Sequence, residues 1–295
     1  MWYRRLIPRL RPDAWIALSI PIGCGIVLTE AYFRSDLHDA DSAEHCAYSP
    51  TTVLIGQHHV RELRANGIVV IPNALSETQL NNARMDIRSY TTKTDGVMES
   101  STNDDDVRQD VVTWIGEHDL QANKDDPIQD RSYLLHCIRL LRGVSHALDQ
   151  RGYQVNDPPQ ENKTFLVPQS CQLALYKGNG NAGYARHLDQ CHQSVYELGL
   201  LEWLRLSDYR SRSITAILYL NASDRPVSAG GALRCWVERK DSAETDDVDE
   251  KFHTPFDVLP KGGTLVIFQS DRVEHRVLPS STDRYALTNW ISEAT

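Results

Sequence analysis

The sequence predicts a mainly β protein with flanking helices, a sandwich or jelly-roll core supported by N-terminal helices. Three observations predict it. From about residue 170 short β-rich runs recur, separated by Gly, Asn, Asp and Pro. Ahead of them, apolar residues recur at helical spacing in three segments. The composition, 41% hydrophobic and 24% charged with mean hydropathy -0.44, suits a globular core and argues against a polytopic membrane protein or a disordered chain.

Taken in order, residues 57–66 form a helix with Val60 and Leu63 inward, and Gly67 ends it as the residue past the cap. Gly67–Pro72 reads as a buried strand. Ser76 opens the next helix, because Gln79 three residues later completes a capping box, and Leu80, Ala83 and Ile87 share one face. Asp104–Asp106 is an acidic, solvated turn, and Val111–Ile115 is strand-like. Residues 131–151 form a helix striped by Leu134, Ile138, Leu141 and Leu148 and closed by Gly152. The β-rich runs are 171–176, 184–188, 213–220, 231–236, 264–268 and 284–291. Between them, residues 193–207 carry Val195, Leu198, Leu201 and Leu204 at amphipathic-helix spacing, and 238–250 is a charged, solvated loop.

The first 33 residues are a separate piece. Their start is arginine-rich and free of acids, and the apolar run Ala14–Leu28 follows, shorter than the roughly 20 residues that span a bilayer comfortably. Acids come next, at Asp36, Asp39, Asp41 and Glu44. Positive before and negative after fits a signal peptide or signal anchor, which would tether the chain to a membrane in the secretory pathway. The same features fit a mitochondrial presequence, and an ordinary buried segment of a cytoplasmic protein is the plain alternative. Residues 34–52 read as a polar linker, which leaves 53–295 for the folded domain. The 295-residue chain has net charge -9, so it lacks the basic footprint that nucleic acid requires. Its six cysteines, at 24, 46, 137, 171, 191 and 235, include no CxxC pair, which speaks against a zinc knuckle or thioredoxin-type site.

Chemistry concentrates at the end of the run Tyr184-Ala185-Arg186-His187-Leu188-Asp189. On a strand, residues two apart face the same side, so His187 and Asp189 can chelate one metal with Leu188 turned away. A second histidine from a distant strand completes the two-histidine, one-carboxylate facial triad of non-haem Fe(II) oxygenases. His275 is the candidate, placed on a turn after the strand Thr264–Phe268. An isolated HxD occurs by chance in many proteins. Nine residues after His275 comes Arg284 at a strand start. If it points inward from a neighbouring strand it needs an anionic partner, and a cofactor carboxylate gripped bidentately is a natural one. The alternative is a surface arginine.

The stretch Leu175–Asp189 resembles the core motif of the hypoxia-inducible-factor prolyl hydroxylases, the oxygen-sensing branch of the prolyl 4-hydroxylase family. So do Leu218-Tyr219-Leu220-Asn221, then Gly230-Gly231-Ala232-Leu233-Arg234, then His275–Pro279 running to Arg284–Trp290, all in the family's order over about 170–292. Upstream, Gly67–Val70 with its capped helix is similar to the family's first strand and helix, and Arg108–Ile115 to its substrate-covering loop and strand. The resemblance implies a double-stranded β-helix (jelly-roll) and an Fe(II)- and 2-oxoglutarate-dependent dioxygenase that hydroxylates peptidyl proline. Its co-substrate would be O2, its co-products succinate and CO2, its aid L-ascorbate, its partner a proline-containing protein or peptide, and its setting oxygen sensing. By resemblance His187, Asp189 and His275 ligate Fe(2+), and Arg284 and Tyr219 hold the distal carboxylate of 2-oxoglutarate. Tyr176, Thr215, Leu233 and Trp290 line that pocket, while Arg108, Trp114 and Arg234 lie on the substrate side. The chain departs from the family in the insert Gln190–Arg210, set at the mouth of the site, and in its N-terminal apolar segment. Asn162-Lys163-Thr164 and Asn221-Ala222-Ser223 are glycosylation sequons, usable only in a lumen. Other readings are an oxygenase of this type acting on another residue or a small molecule, or a non-catalytic jelly-roll scaffold.

Overall fold

The computed structural model describes residues 54–92, 98–100, 108–120, 132–155, 164–190, 211–237 and 254–294. The N-terminal segment 1–33, the linker 34–52, the acidic turn 104–106, the insert beyond Gln190 with its 193–207 helix, and the charged loop 238–250 lie outside the described residues.

Helix α1 (Gln57–Asn66) buries Val60 and Leu63 and ends where Gly67, at φ 71, donates its N–H to the Leu63 carbonyl. That positive φ is why glycine stands there. Strand β1 (Ile68–Ile71) follows, then α2 (Glu77–Thr92). Its capping box forms as expected: Ser76 N donates to Gln79 Oε1 at 2.8 Å, and Gln79 N donates to Ser76 Oγ at 3.3 Å. After the two-residue strand β2 (Glu99–Ser100) come β3 (Asp110–Gly116) and the single turn α3 (Glu117–Leu120). The long helix α4 (Ser132–Gln150) has its first turn capped from α2, because the Asp86 carboxylate accepts from the N–H groups of Tyr133 and Leu134.

Eight strands complete the fold: β4 (Ser170–Tyr176), β5 (Tyr184–His187), β6 (Arg212–Tyr219), β7 (Leu233–Val237), β8 (Phe256–Val258), β9 (Leu265–Gln269), β10 (Val273–Val277) and β11 (Arg284–Ser292). A seven-stranded antiparallel sheet runs β1-β9-β6-β11-β4-β3-β2 and faces a four-stranded sheet β5-β10-β7-β8. An isolated bridge between Arg108 and Tyr184 joins them at one seam.

Period-two alternation divides the large sheet. One face carries Leu173, Ile214, Leu218, Ile267, Leu287 and Ile291, packed with Leu134, Ile138, Leu141 and Leu148 of α4 in one apolar core. Each fully buried leucine or isoleucine there contributes roughly 1.5–3 kcal/mol. The other face turns between the sheets with Ala174, Tyr176, Ile217, Tyr219, Val266, Phe268 and Ala286, opposite Leu233, Cys235, Val273 and Val277 of the small sheet. This second layer is the jelly-roll interior, and the site lies within it.

Two strand expectations need correction. Val273–Val277 is a strand rather than a turn, with Val273, His275 and Val277 inward and Glu274 and Arg276 outward. Phe256–Val258 adds a strand at the edge of the small sheet. The sequon at Asn221 is not presented to modification: the side chain is buried, donates to the Pro260 carbonyl at 2.8 Å and accepts from Tyr285 N at 2.7 Å.

Candidate active site

His187 closes β5 and His275 sits at the middle of β10, and the two are register partners across the antiparallel pair. Directly opposed residues share a sheet face, so both imidazoles enter the interior. Their rings lie 4.3 Å apart between centroids. Asp189 lies two residues beyond the end of β5. Its carboxylate lies 3.7 Å from His187 Nε2 and 3.8 Å from His275 Nε2, and one ligand atom from each of the three falls within 4.8 Å of the others. Among the described residues no other group of His, Cys, Asp and Glu is so arranged.

The backbone sets the tautomers. His187 Nδ1 donates to the Ala185 carbonyl at 2.8 Å, and His275 Nδ1 donates to the Val273 carbonyl at 3.2 Å. In each ring Nε2 then keeps its lone pair and points at Asp189, the orientation that metal-bound histidines receive from their second hydrogen bond. Burial, reinforced by the neighbouring His187, lowers the His275 pKa to about 4, so the ring is neutral at pH 7. Burial pushes the Asp189 pKa upward, yet His275 and His187 outweigh it and hold the carboxyl well below the usual range. Two imidazoles and one carboxylate are the donor set for a divalent iron.

Deeper in the barrel lies Arg284, 1% exposed at the start of β11. It does not neighbour His275 in a sheet, as the sequence reading supposed. Strands β10 and β11 belong to different sheets, and Arg284 reaches the site from the large one. Its Nε donates to the Gly231 carbonyl at 2.8 Å, and its guanidinium lies 4.9 Å from the Tyr176 ring and 5.0 Å from the Tyr219 ring. Arg284 Nη1 and the Tyr219 hydroxyl are buried without a hydrogen-bond partner among the described residues. Such orphaned donors are expensive, and side by side they suit an anionic group. Burial pushes the Tyr219 phenol up to about 12 against the pull of Arg284, so its proton stays available for donation. Leu233 is buried in the same cluster as Tyr176 and Tyr219. The surface alternative for Arg284 is excluded by its burial.

The mouth is aromatic. Tyr184 stacks on His187 at 3.8 Å, and Trp114, half exposed, lies 5.7 Å from Trp290. Arg212 covers Trp290 at 4.1 Å. Arg108 donates to Gln172 Oε1 at 2.7 Å, pairs with the buried Asp110, and sits 4.8 Å from the Tyr184 ring. Arg234 lies elsewhere: it faces outward from β7 and makes a two-pronged pair with Asp257 at 2.7 and 2.9 Å. Thr215 is buried and donates to Asp189 Oδ2 at 2.7 Å, so it touches the carboxylate of the His187–Asp189–His275 cluster. Arg212, Tyr184, Gln172, Asp110 and Ser270 were missed by sequence reasoning. No sequence signal marks Arg212, because alternation pairs it with the core-facing Ile214 and a register shift between Ile291 and Ser292 intervenes.

The sequence pattern of the 2OG-Fe(II) oxygenase superfamily matches residues 171–292, a span that begins in β4, ends with β11 and holds His187, Asp189, His275 and Arg284. The chain carries a 2OG-Fe(II) oxygenase domain. The family of this domain implies Fe(2+) and 2-oxoglutarate, and the donor set and the orphaned Arg284–Tyr219 pair fit both. The chain is 27% identical over 252 residues to Egl nine homolog 1 of Rattus norvegicus, covering 83% of this chain. It spans less than two thirds of the curated relatives it matches first, 61% of the rat protein. Among solved structures, the chain resembles a Pseudomonas putida prolyl-4-hydroxylase with TM-score 0.53 and 22% identity, covering 81% of this chain and 98% of that one. It also resembles a Trichoplax adhaerens prolyl hydroxylase, solved with a hypoxia-inducible-factor peptide fragment, with TM-score 0.54 and 19% identity over 87% of this chain and 94% of that one. These likenesses establish the jelly-roll fold.

Proposed function

We propose that the chain is an Fe(II)- and 2-oxoglutarate-dependent dioxygenase that hydroxylates a proline in a protein or peptide substrate. O2 is the co-substrate, and succinate and CO2 are the co-products. The observation that carries this reading is the buried, unsatisfied Arg284–Tyr219 pair set behind a complete triad. His187, Asp189 and His275 would hold the iron. Arg284 would meet the distal carboxylate of 2-oxoglutarate with Nη1, and Tyr219 would donate its phenolic proton to the same group. Val266, Phe268, Leu233 and Ala286 wall the pocket and keep water out. When bound, iron and 2-oxoglutarate supply the oxidising chemistry, and the protein supplies geometry and exclusion of water.

The names of other relatives, prolyl hydroxylases among them, favour proline as the target. The mouth suits it: Tyr184, Trp114 and Trp290 offer ring faces to an apolar pyrrolidine. Oxygen sensing, assistance by L-ascorbate and tethering to a membrane through residues 1–33 belong to the same reading. Among the described residues no helix is long and apolar enough to cross a membrane.

The test is an anaerobic titration of the full chain with Fe(II) and 2-oxoglutarate, followed by visible absorption. A charge-transfer band that is absent in Asp189→Ala supports the site, and no band in the wild-type chain refutes it. Succinate release with a panel of proline peptides, read together with peptide mass, then tests the reaction. Succinate coupled to a modified small molecule instead would move the target away from peptidyl proline.

A further inference from the structure

Behind Asp189 lies a chain of two buried hydroxyls. Thr215 Oγ1 is 2.7 Å from Asp189 Oδ2, and Ser270 Oγ is 2.9 Å from Thr215 Oγ1. Thr215 and Ser270 are both 0% exposed. Chemistry fixes the direction of the proton donors. An ionised carboxylate only accepts, so Thr215 donates to Asp189; Thr215 has one proton, so Ser270 donates to Thr215. The main chain of Ser270 holds the same region. Its carbonyl accepts from Gln190 N at 3.2 Å, the residue after Asp189, and its N–H donates to the Ser213 carbonyl at 3.0 Å on β6. Ser270 itself directly follows β9 and opens the short connection to β10, which carries His275.

We propose that Ser270 is a positioning residue for the iron site, acting through Thr215 to fix the rotation of the Asp189 carboxylate. Its hydroxyl orients the Thr215 proton, which commits one lone pair of Asp189 Oδ2 and so sets Oδ1 toward His187 and the rest of Oδ2 toward His275. Its main chain fixes the Asp189–Gln190 backbone against the β9–β10 connection, so both ligand-bearing segments are referred to one residue. Hydroxyls in series polarise one another, which makes the terminal donor stronger than a lone threonine. The inference rests on the iron reading of the triad.

The experiment measures Fe(II) affinity anaerobically, without 2-oxoglutarate, in the full-length wild-type chain and in Ser270→Ala, Thr215→Val, Thr215→Ser and the double variant Ser270→Ala/Thr215→Val. Removal of outer-shell partners typically lowers metal affinity about 10- to 100-fold. The expected result is a loss of that order in Ser270→Ala and a larger one in Thr215→Val. The double variant should be no weaker than Thr215→Val alone, since Ser270 has nothing left to act through. Thr215→Ser, which keeps the hydroxyl, should bind near the wild-type level. Metal-free thermal unfolding is read in parallel, and the affinity losses should not track it. Wild-type affinity in Ser270→Ala, additive losses in the double variant, or losses that follow metal-free stability would each overturn the proposal. Absence of iron binding in the wild-type chain would overturn the iron reading itself, and the proposal with it.

Discussion

At the scale of single residues, Arg284 explains how a buried charge can be tolerated and used. No carboxylate of the described residues pairs with it; one backbone carbonyl and two tyrosine rings surround it instead. Its environment is incomplete until an anion arrives. Arg284→Met should therefore melt no lower than the wild-type chain when both are free of 2-oxoglutarate, because an uncompensated desolvated charge has been removed. The same variant should bind 2-oxoglutarate roughly 10²- to 10³-fold more weakly, from the loss of about 3–5 kcal/mol when one partner of a buried pair is truncated. Differential scanning fluorimetry and calorimetric titration read the two effects separately. His187, Asp189 and Arg284 were legible as residues because their types and spacing are chemically unusual. Ser270 was not, because a serine after an apolar strand has the appearance of an ordinary turn residue, and only three-dimensional proximity to Thr215 reveals its contact.

Elements were legible to the degree that their periodicity was long. Helix α4 carries an unbroken apolar stripe, and the structure places it within one residue of expectation at each end. Strand β10 has five residues, one of them histidine, and its inward positions alternate with Glu274 and Arg276, so the polar pattern masks a buried strand. The assignment of strands to two sheets could not be read at all, because neighbours such as β1 and β9 are nearly two hundred positions apart in sequence. At the end of α4, Asp149 accepts from Phe165 N at 3.0 Å, and burial, against that hydrogen bond, raises its pKa to about 6 from 3.8. The folded state therefore holds this proton more tightly than the unfolded chain. Stability from the protonated form is fully present below pH 3.8 and is lost as pH rises through 6. Asp149→Asn keeps an acceptor for Phe165 N and lacks the charge. Its melting temperature relative to wild type should rise between pH 4 and 6.5 and stay level above; a constant difference across that range would exclude this origin.

For the whole molecule, the two layers divide the labour. The helix-covered core beneath the large sheet holds the barrel in shape, and the interior between the sheets carries the unsatisfied Arg284 Nη1 and Tyr219 hydroxyl beside the triad. An unpaired buried arginine beside an unpaired buried phenol breaks the local rule of polar satisfaction, as binding sites do. Since the donor set exists only in the folded state, iron should stabilise the chain by mass action. At about 100 times its dissociation constant, Fe(II) adds about 2.7 kcal/mol, which for a domain of this size raises the melting temperature by roughly 5–10 °C. Anaerobic melts with and without Fe(II) check this, and Asp189→Ala should show no shift.

The two histidines do not share the same mechanical support. His275 is on an inner strand of the small sheet, laddered to β7 over five consecutive partners and to β5 on its other side. His187 is on the outermost strand, held to β10 at two register positions with an irregularity between them. Peripheral, interrupted ladders fray first. Thermal fluctuation should thus detach the His187–Asp189 arm while His275 stays in place, so that a departing metal leaves by a hinged route rather than by collapse of the cage. In deuterium exchange of the metal-free protein, amides of Tyr184–His187 should label well before those of Val273–Val277, and iron should slow the first group by the larger factor.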